Sequence, residues 1–122
     1  MADAPTGSEG PVTITAEQHY YLALEAQSAR DFPEMMRALR LASEGGNLHA
    51  QETLAMALLV GERFYGKSVK FNLCEAQMWA RRAAAQESEV AKFQAIFLNR
   101  LAQARLAADH CAAWDRAMHK RP

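Results

Sequence analysis

One stretch of the chain matches a chemical motif residue for residue. Gly61-Glu-Arg-Phe-Tyr-Gly66-Lys67-Ser68 satisfies G-x-x-x-x-G-K-S/T, the phosphate-binding P-loop, and it follows an apolar run and precedes a helical pattern. In that motif, backbone N–H groups wrap the phosphates, the lysine reaches the outer ones and the hydroxyl binds magnesium. The loop works only with a parallel sheet behind it. Apart from Thr13, Ile14 and Thr15, nothing here reads as a strand, and no apolar run ends in an Asp for the metal. The loop interior, Glu62 to Tyr65, is bulky and acidic where phosphate approach needs small residues. Nucleotide binding at Gly61–Ser68 is therefore the remotest of the functions considered.

Other reactive residues are scattered. His110 and Cys111 are adjacent, so on a helix they diverge by about 100° and do not share a metal easily. His49 and Glu52 lie three apart and can pair. No Ser-His-Asp order or convergent carboxylate pair stands out, so no catalytic residue, metal or cofactor is expected. Cys74 and Cys111 have no zinc-type spacing and both sit in helical patterns, so a reduced, buried pair is expected. The same loop suits contact better than catalysis. Arg63, Phe64, Tyr65, Lys67, Lys70 and Phe71 interleave aromatics with bases, and aromatics and arginine anchor interfaces. These six are the candidate partner-binding residues.

Composition bounds the partner class. The chain has 122 residues, half of them hydrophobic, enough for one domain with a modest core. The formal net charge is zero, yet residues 1–62 hold nine acids against three bases and residues 63–122 hold eleven bases against five acids. In a stacked-helix protein, a net −6 and a net +6 half become an acidic and a basic end. Such a field steers a charged partner or favours head-to-tail association, and either weakens with salt. Neutral net charge and the acidic half argue against nucleic acid. The longest apolar run, Leu54 to Val60, is far too short to span a bilayer. Residues 1–14 read as a flexible tail without the basic segment and apolar core of a secretory signal, so a cytoplasmic location is expected.

Helices must position these residues. Thr15 with Gln18, Asp31 with Glu34 and Asn72 with Glu75 have capping-box spacing; Asn47 and Ser88 can cap two more helices. Gly45-Gly46 ends the second helix. The spacing predicts helices over Ala16–Ala29, with Tyr20, Leu24 and Gln27 on one side, and Phe32–Glu44, with Met35, Leu39 and Ala42 as its stripe. A third covers Leu48 to about Val60 and is apolar nearly all round from Leu54. Gly61 to Phe71 reads as a loop or a frayed helix end. From Asn72, the face Leu73-Ala76-Trp79-Ala80-Ala83 sets one tryptophan among small residues, so a neighbouring backbone approaches closely and the ring fills the gap. After Ser88, Val90, Phe93, Ile96, Phe97 and Leu101 are apolar. Ala104 to Met118 is helical in composition, with Leu106, Cys111 and Trp114 as contacts. Residues 89–118 form one long helix or two, with a break near Gln103 preferred.

Internal repetition supports a stack. A shift of 41 residues places Arg40 on Arg81, Ala42 on Ala83 and Ala50 on Ala91; a shift of 35 places Trp79 on Trp114.

The pattern Ala76-x-x-Trp79-x-Arg81-x-Ala83-Ala84, followed by Ala91, resembles the second helix of a Sel1-like repeat, a relative of the tetratricopeptide repeats. Gly66, Val69, Asn72 and Ala76 stand where that family has its loop glycine, a valine, a helix-start Asp or Asn and a packing alanine. Ala50, Gln51 and Leu54 match the start of its first helix, and about five residues near Gly61–Tyr65 are extra. An earlier, weaker unit is visible in Asp31-Phe32, Arg40, Ala42, Gly46-Asn47 and Ala50, where Met35 and Ala38 replace the alanine and the aromatic. The third unit is weaker again. The resemblance covers residues 16–118, strongly for one repeat. It implies an all-α fold, five or six helices as antiparallel α-α repeats in a short right-handed solenoid over residues 15–119. It also implies a non-catalytic module that grips another protein or a peptide. The alternatives are a self-assembling subunit, a homodimer with Phe93, Phe97 and Trp114 at its seam, and the remote nucleotide binder.

Overall fold

In the computed structural model, which describes residues 13–105 and 108–119, each cap signal starts a helix. Thr15 Oγ1 accepts from the Gln18 N–H at 3.1 Å and the Thr15 N–H donates back to Gln18 Oε1 at 2.8 Å, opening α1 (Ala16–Ser28). The Asp31 carboxylate accepts from the Glu34 N–H and opens α2 (Phe32–Glu44). Asn47 opens α3 (Leu48–Val60) through the Ala50 N–H. A single turn, α4 (Glu62–Tyr65), precedes a loop, and Asn72 then opens α5 (Leu73–Ala84) through the Glu75 N–H. Ser88 accepts from the Ala91 N–H at the start of α6 (Glu89–Arg105), and α7 (Ala108–His119) follows. All regular structure among the described residues is helical, with no strand among them, in seven helices rather than five or six. Most of the expected N-terminal tail, and residues 106–107 between α6 and α7, lie outside the described residues. No described helix is long and apolar enough to cross a membrane.

Sequence neighbours pack on one another: α1 on α2, α2 on α3, α3 on α5, α5 on α6, and α7 on α5. The core runs through Met35, Leu39, Leu54, Leu58, Trp79 and Leu98, with buried alanines between them. Ala42, Ala50, Ala76, Ala83 and Ala91 are wholly enclosed, and Ala84 is half-buried beside them. Alanine gives each helix a flat face, so the backbones approach closely and little rotamer entropy is lost on packing. Val69, carried by the loop, is also fully buried and anchors that loop to the core.

The 41-residue correspondence has a structural counterpart. The turn from α2 into α3 and the turn from α5 into α6 are built alike. Asn47 and Ser88 donate their N–H to the Ala42 and Ala83 carbonyls, and each caps the helix that follows. Gly46 (φ 92°) and Glu87 (φ 68°) occupy matching left-handed positions. Glycine adopts that conformation freely, whereas a glutamate held there carries strain.

Three expectations need correction. The buried side of α1 is Ala23 and Ala26, with Tyr20 half-buried, while Leu24 and Gln27 face outward. The alanine pair wins because only small side chains let α1 lie against α2. Glu75 does not return the capping bond to Asn72, whose N–H donates to the Leu58 carbonyl instead. The Glu75 carboxylate accepts two bonds from the Arg40 guanidinium, at 3.0 and 3.1 Å, and one from the Trp79 indole N–H at 3.1 Å. A bidentate arginine and an indole outcompete one backbone amide. Finally, Cys74 and Cys111 are not reduced: they form a disulfide that ties α7 to α5. Their spacing along the chain hides this, because it is α7 folding back onto α5 that brings them together.

Candidate partner-binding groove

Helix α6 carries two apolar stripes at helical spacing, and only one is used internally. Ala91, Ala95 and Leu98 face α5 and the core. Val90, Phe93, Ile96 and Phe97 point away from it, and Phe93 is 73% exposed. Beside them, α3 presents Met56 and Leu59. Two polar contacts set the spacing of α3 and α6: the Ser88 hydroxyl donates to the Glu52 carboxylate, and Gln94 Nε2 donates to the Glu52 carbonyl at 3.3 Å. Past these ties the helices leave an open cleft of about 490 Å³ lined by Met56, Leu59, Val90, Phe93, Phe97 and their neighbours, with Gln94 as the polar member. Exposed aromatic and methionine side chains rimmed by polar groups are the kind of surface from which interaction sites are built.

The loop extends this groove. Leu59 also lines an adjoining hollow with Val60, Arg63 and Phe64. Phe64 is 72% exposed, so its ring continues the apolar strip past the end of α3. The six residues expected to bind a partner therefore divide. Arg63 and Phe64 join the groove. Tyr65 is structural, half-buried with its ring edge against Phe32 at 5.4 Å. Lys70 pairs with Glu62 at 3.5 Å on the surface, while Lys67 and Phe71 are exposed without lining the cleft. Gly61 holds the loop's entry at φ 56°, where an added Cβ would lie 2.9 Å from the Phe71 backbone nitrogen. Only glycine fits that crossing.

Charge on the groove is uneven. At the start of α6, the carboxylates of Glu89 and Glu87 accept from Lys92 and hold its ammonium above the usual lysine range. Two carboxylates against one ammonium leave that end with a net charge of −1. At the other end Arg63 lines the adjoining hollow, and Arg100 follows Phe97 by three residues along α6; both are exposed, and neither forms an ion pair among the described residues.

The P-loop-like segment does not present a phosphate cradle. Several of its amides are engaged internally: Gly61 donates to the Ala57 carbonyl, Phe64 and Tyr65 to Gly61, and Gly66 to Glu62. Gly66 itself is exposed at φ 78°, and the helix that should begin at Lys67 begins at Leu73. His49 lies 3.6 Å from the Glu52 carboxylate, as its spacing allows. Among the described residues, no three His, Cys, Asp or Glu side chains converge as a metal site would require.

The expected seam residues also divide. Phe93 and Phe97 line the groove, but Trp114 lines a separate cleft with Arg40, Glu75, Trp79 and Arg82 between α2, α5 and α7. Sequence spacing missed Met56, Leu59 and the outward role of Val90. The available signal was the second stripe of α6, Val90-Phe93-Phe97 at i, i+3 and i+7, lying beside a complete inner one.

Comparison of the chain with protein-family models, with curated proteins and with solved structures finds no match.

Proposed function

We propose that this chain is a non-catalytic protein-interaction module, a small adaptor, regulator or chaperone-like protein. Its groove between α3 and α6, extended by Phe64, takes an apolar helix or peptide of a partner. The observation that carries this is the outward stripe Val90-Phe93-Phe97, apolar and exposed on a helix that already has a complete buried face. Helix-in-groove recognition needs just such a cleft, with anchors spaced at helical intervals. The Sel1-like pattern around Trp79 and the matched turns at Gly46 and Glu87 support a stack of α-α repeats in a right-handed solenoid. The Cys74–Cys111 disulfide favours an oxidising compartment over the cytoplasm, since cytosolic thiols are kept reduced.

Affinity capture tests the groove. Phe93→Glu combined with Phe64→Ala is expected to abolish recovery of the partner while the circular dichroism and melting temperature stay at wild-type values, because both side chains are exposed. Undiminished capture by the folded double variant would place the binding surface elsewhere.

The engaged loop amides give a second expected result. Mg·ATP is expected to leave the melting temperature unchanged, because ligand binding to the native state would raise it by mass action. A rise that Lys67→Ala removes would restore the nucleotide-binding alternative.

A further inference from the structure

Among the described residues the groove is unfilled, and a second face without a covering element lies at the opposite end of the packing order. Helix α1 packs on α2 through Ala23 and Ala26, and its Tyr20 ring reaches His49 of α3. Its outward side carries Ile14, Tyr21 and Leu22 around a shallow hollow completed by Gln18 and Glu25, with Tyr21 57% exposed. This is an amphipathic helix turned inside out: alanine faces the protein and the larger residues face water.

The two faces differ in charge. Glu17 and Glu25 flank the apolar side chains of α1, and Arg30 is the first arginine or lysine of the chain, beyond the end of that helix. Arg63 lines the hollow that continues the groove, and Arg100, exposed, follows Phe97 by three residues along α6. The α1 face lies wholly in the half of net charge −6, whereas the groove sets Met56 and Leu59 of that half against Val90, Phe93 and Phe97 of the half of net charge +6. Complementary charge around apolar centres sets orientation and speeds encounter.

We infer that the occupant of the groove is the outward face of α1 from a second copy of this chain, so that copies associate head to tail. The inference rests on the groove being a protein-binding site and names what fills it. Ile14, Tyr21 and Leu22 supply the apolar anchors, and Glu17 and Glu25 meet Arg63 and Arg100. Because the two surfaces are different, each association leaves one face of each kind free at the ends. Such a contact builds open chains unless the rotation closes a ring.

Light scattering on the full chain tests this. The wild-type mass is expected to rise with protein concentration and to fall at about 1 M salt, where the Debye length is near 3 Å. Tyr21→Lys spoils the α1 face and Phe93→Glu spoils the groove, so each variant alone is expected to run as a monomer. Mixed, they are expected to form a 1:1 complex, because each keeps the face that the other lacks. A wild-type chain that stays monomeric at every concentration overturns the inference. So does a Tyr21→Lys variant that still dimerises, which would mean groove-to-groove pairing, and so does a mixture that stays monomeric. Circular dichroism of both variants checks that the surfaces alone have changed. If the wild type is monomeric but captures a different protein in a Phe93-dependent way, only self-association fails. If that capture is indifferent to Phe93→Glu, the groove itself fails as a binding site.

Discussion

Replacing Trp79 with alanine is expected to lower stability by about 3–5 kcal/mol, the range for emptying a core of a large aromatic. The ring is 1% exposed and lies in the alanine-lined face of α5. Few neighbours can collapse into the space, since alanine has no longer rotamer to offer. The loss reaches beyond packing. The Glu75 carboxylate, 13% exposed, would lose the indole donor and keep only Arg40. Arg82, whose guanidinium sits 4.8 Å from the ring centre, would lose its platform. Against a total stability of about 5–15 kcal/mol, the change consumes much of the margin. Urea denaturation checks it. Trp79→Phe separates the parts: it keeps most of the volume but removes the indole donor and leaves Glu75 with Arg40 alone, for an expected cost of about 1–3 kcal/mol. A midpoint unmoved by Trp79→Ala would mean that this residue does not organise the core.

The second large effect concerns the link between α5 and α7. Cys74 and Cys111 are 37 residues apart, and closing a loop of that length restricts the unfolded chain by about 4 kcal/mol in the entropic account. The double variant Cys74→Ser and Cys111→Ser, or reduction of the native protein, is expected to lower stability by about 2–5 kcal/mol. The effect should fall first on α7, which packs on the rest through α5. Hydrogen exchange resolves this: α7 amides should lose protection before those of α2 and α3. Thiol labelling of the denatured, unreduced protein should find no reactive cysteine. Equal midpoints with and without reductant would show that the bond contributes nothing.

Local chemistry was readable from the sequence, and long-range choice was not. Thr15, Asp31, Asn47, Asn72 and Ser88 announce their helices because a cap depends on residues three positions apart. The buried face Leu73-Ala76-Trp79-Ala80-Ala83 was legible because α5 has one apolar stripe. Helix α6 has two, and periodicity does not say which one meets the core. Leu98 and Ala91 went inward because α5 approaches closely, leaving Phe93 and Phe97 outside. Residue type singles out the loop's aromatics and bases, but of the six only Arg63 and Phe64 lie beside the groove, since Tyr65 is drawn back by Phe32. The three-residue spacing from Asn72 points to Glu75 as a cap partner. Its actual partner, Arg40, lies 35 residues upstream on α2, beyond the reach of any local rule.

The packing order, in which α1 to α6 follow the chain apart from the single turn α4 and α7 returns to α5, also bears on how the chain reaches this state. Most of its contacts close short segments, so little entropy is lost before each contact is rewarded. Chains of this kind fold in microseconds to milliseconds, against milliseconds to seconds for sheets built from distant strands. Covalent closure between Cys74 and Cys111 belongs to a slower regime, that of thiol oxidation over seconds to hours. The helices up to α6 would therefore assemble first, with the bond to α7 locking a chain end onto a body already formed.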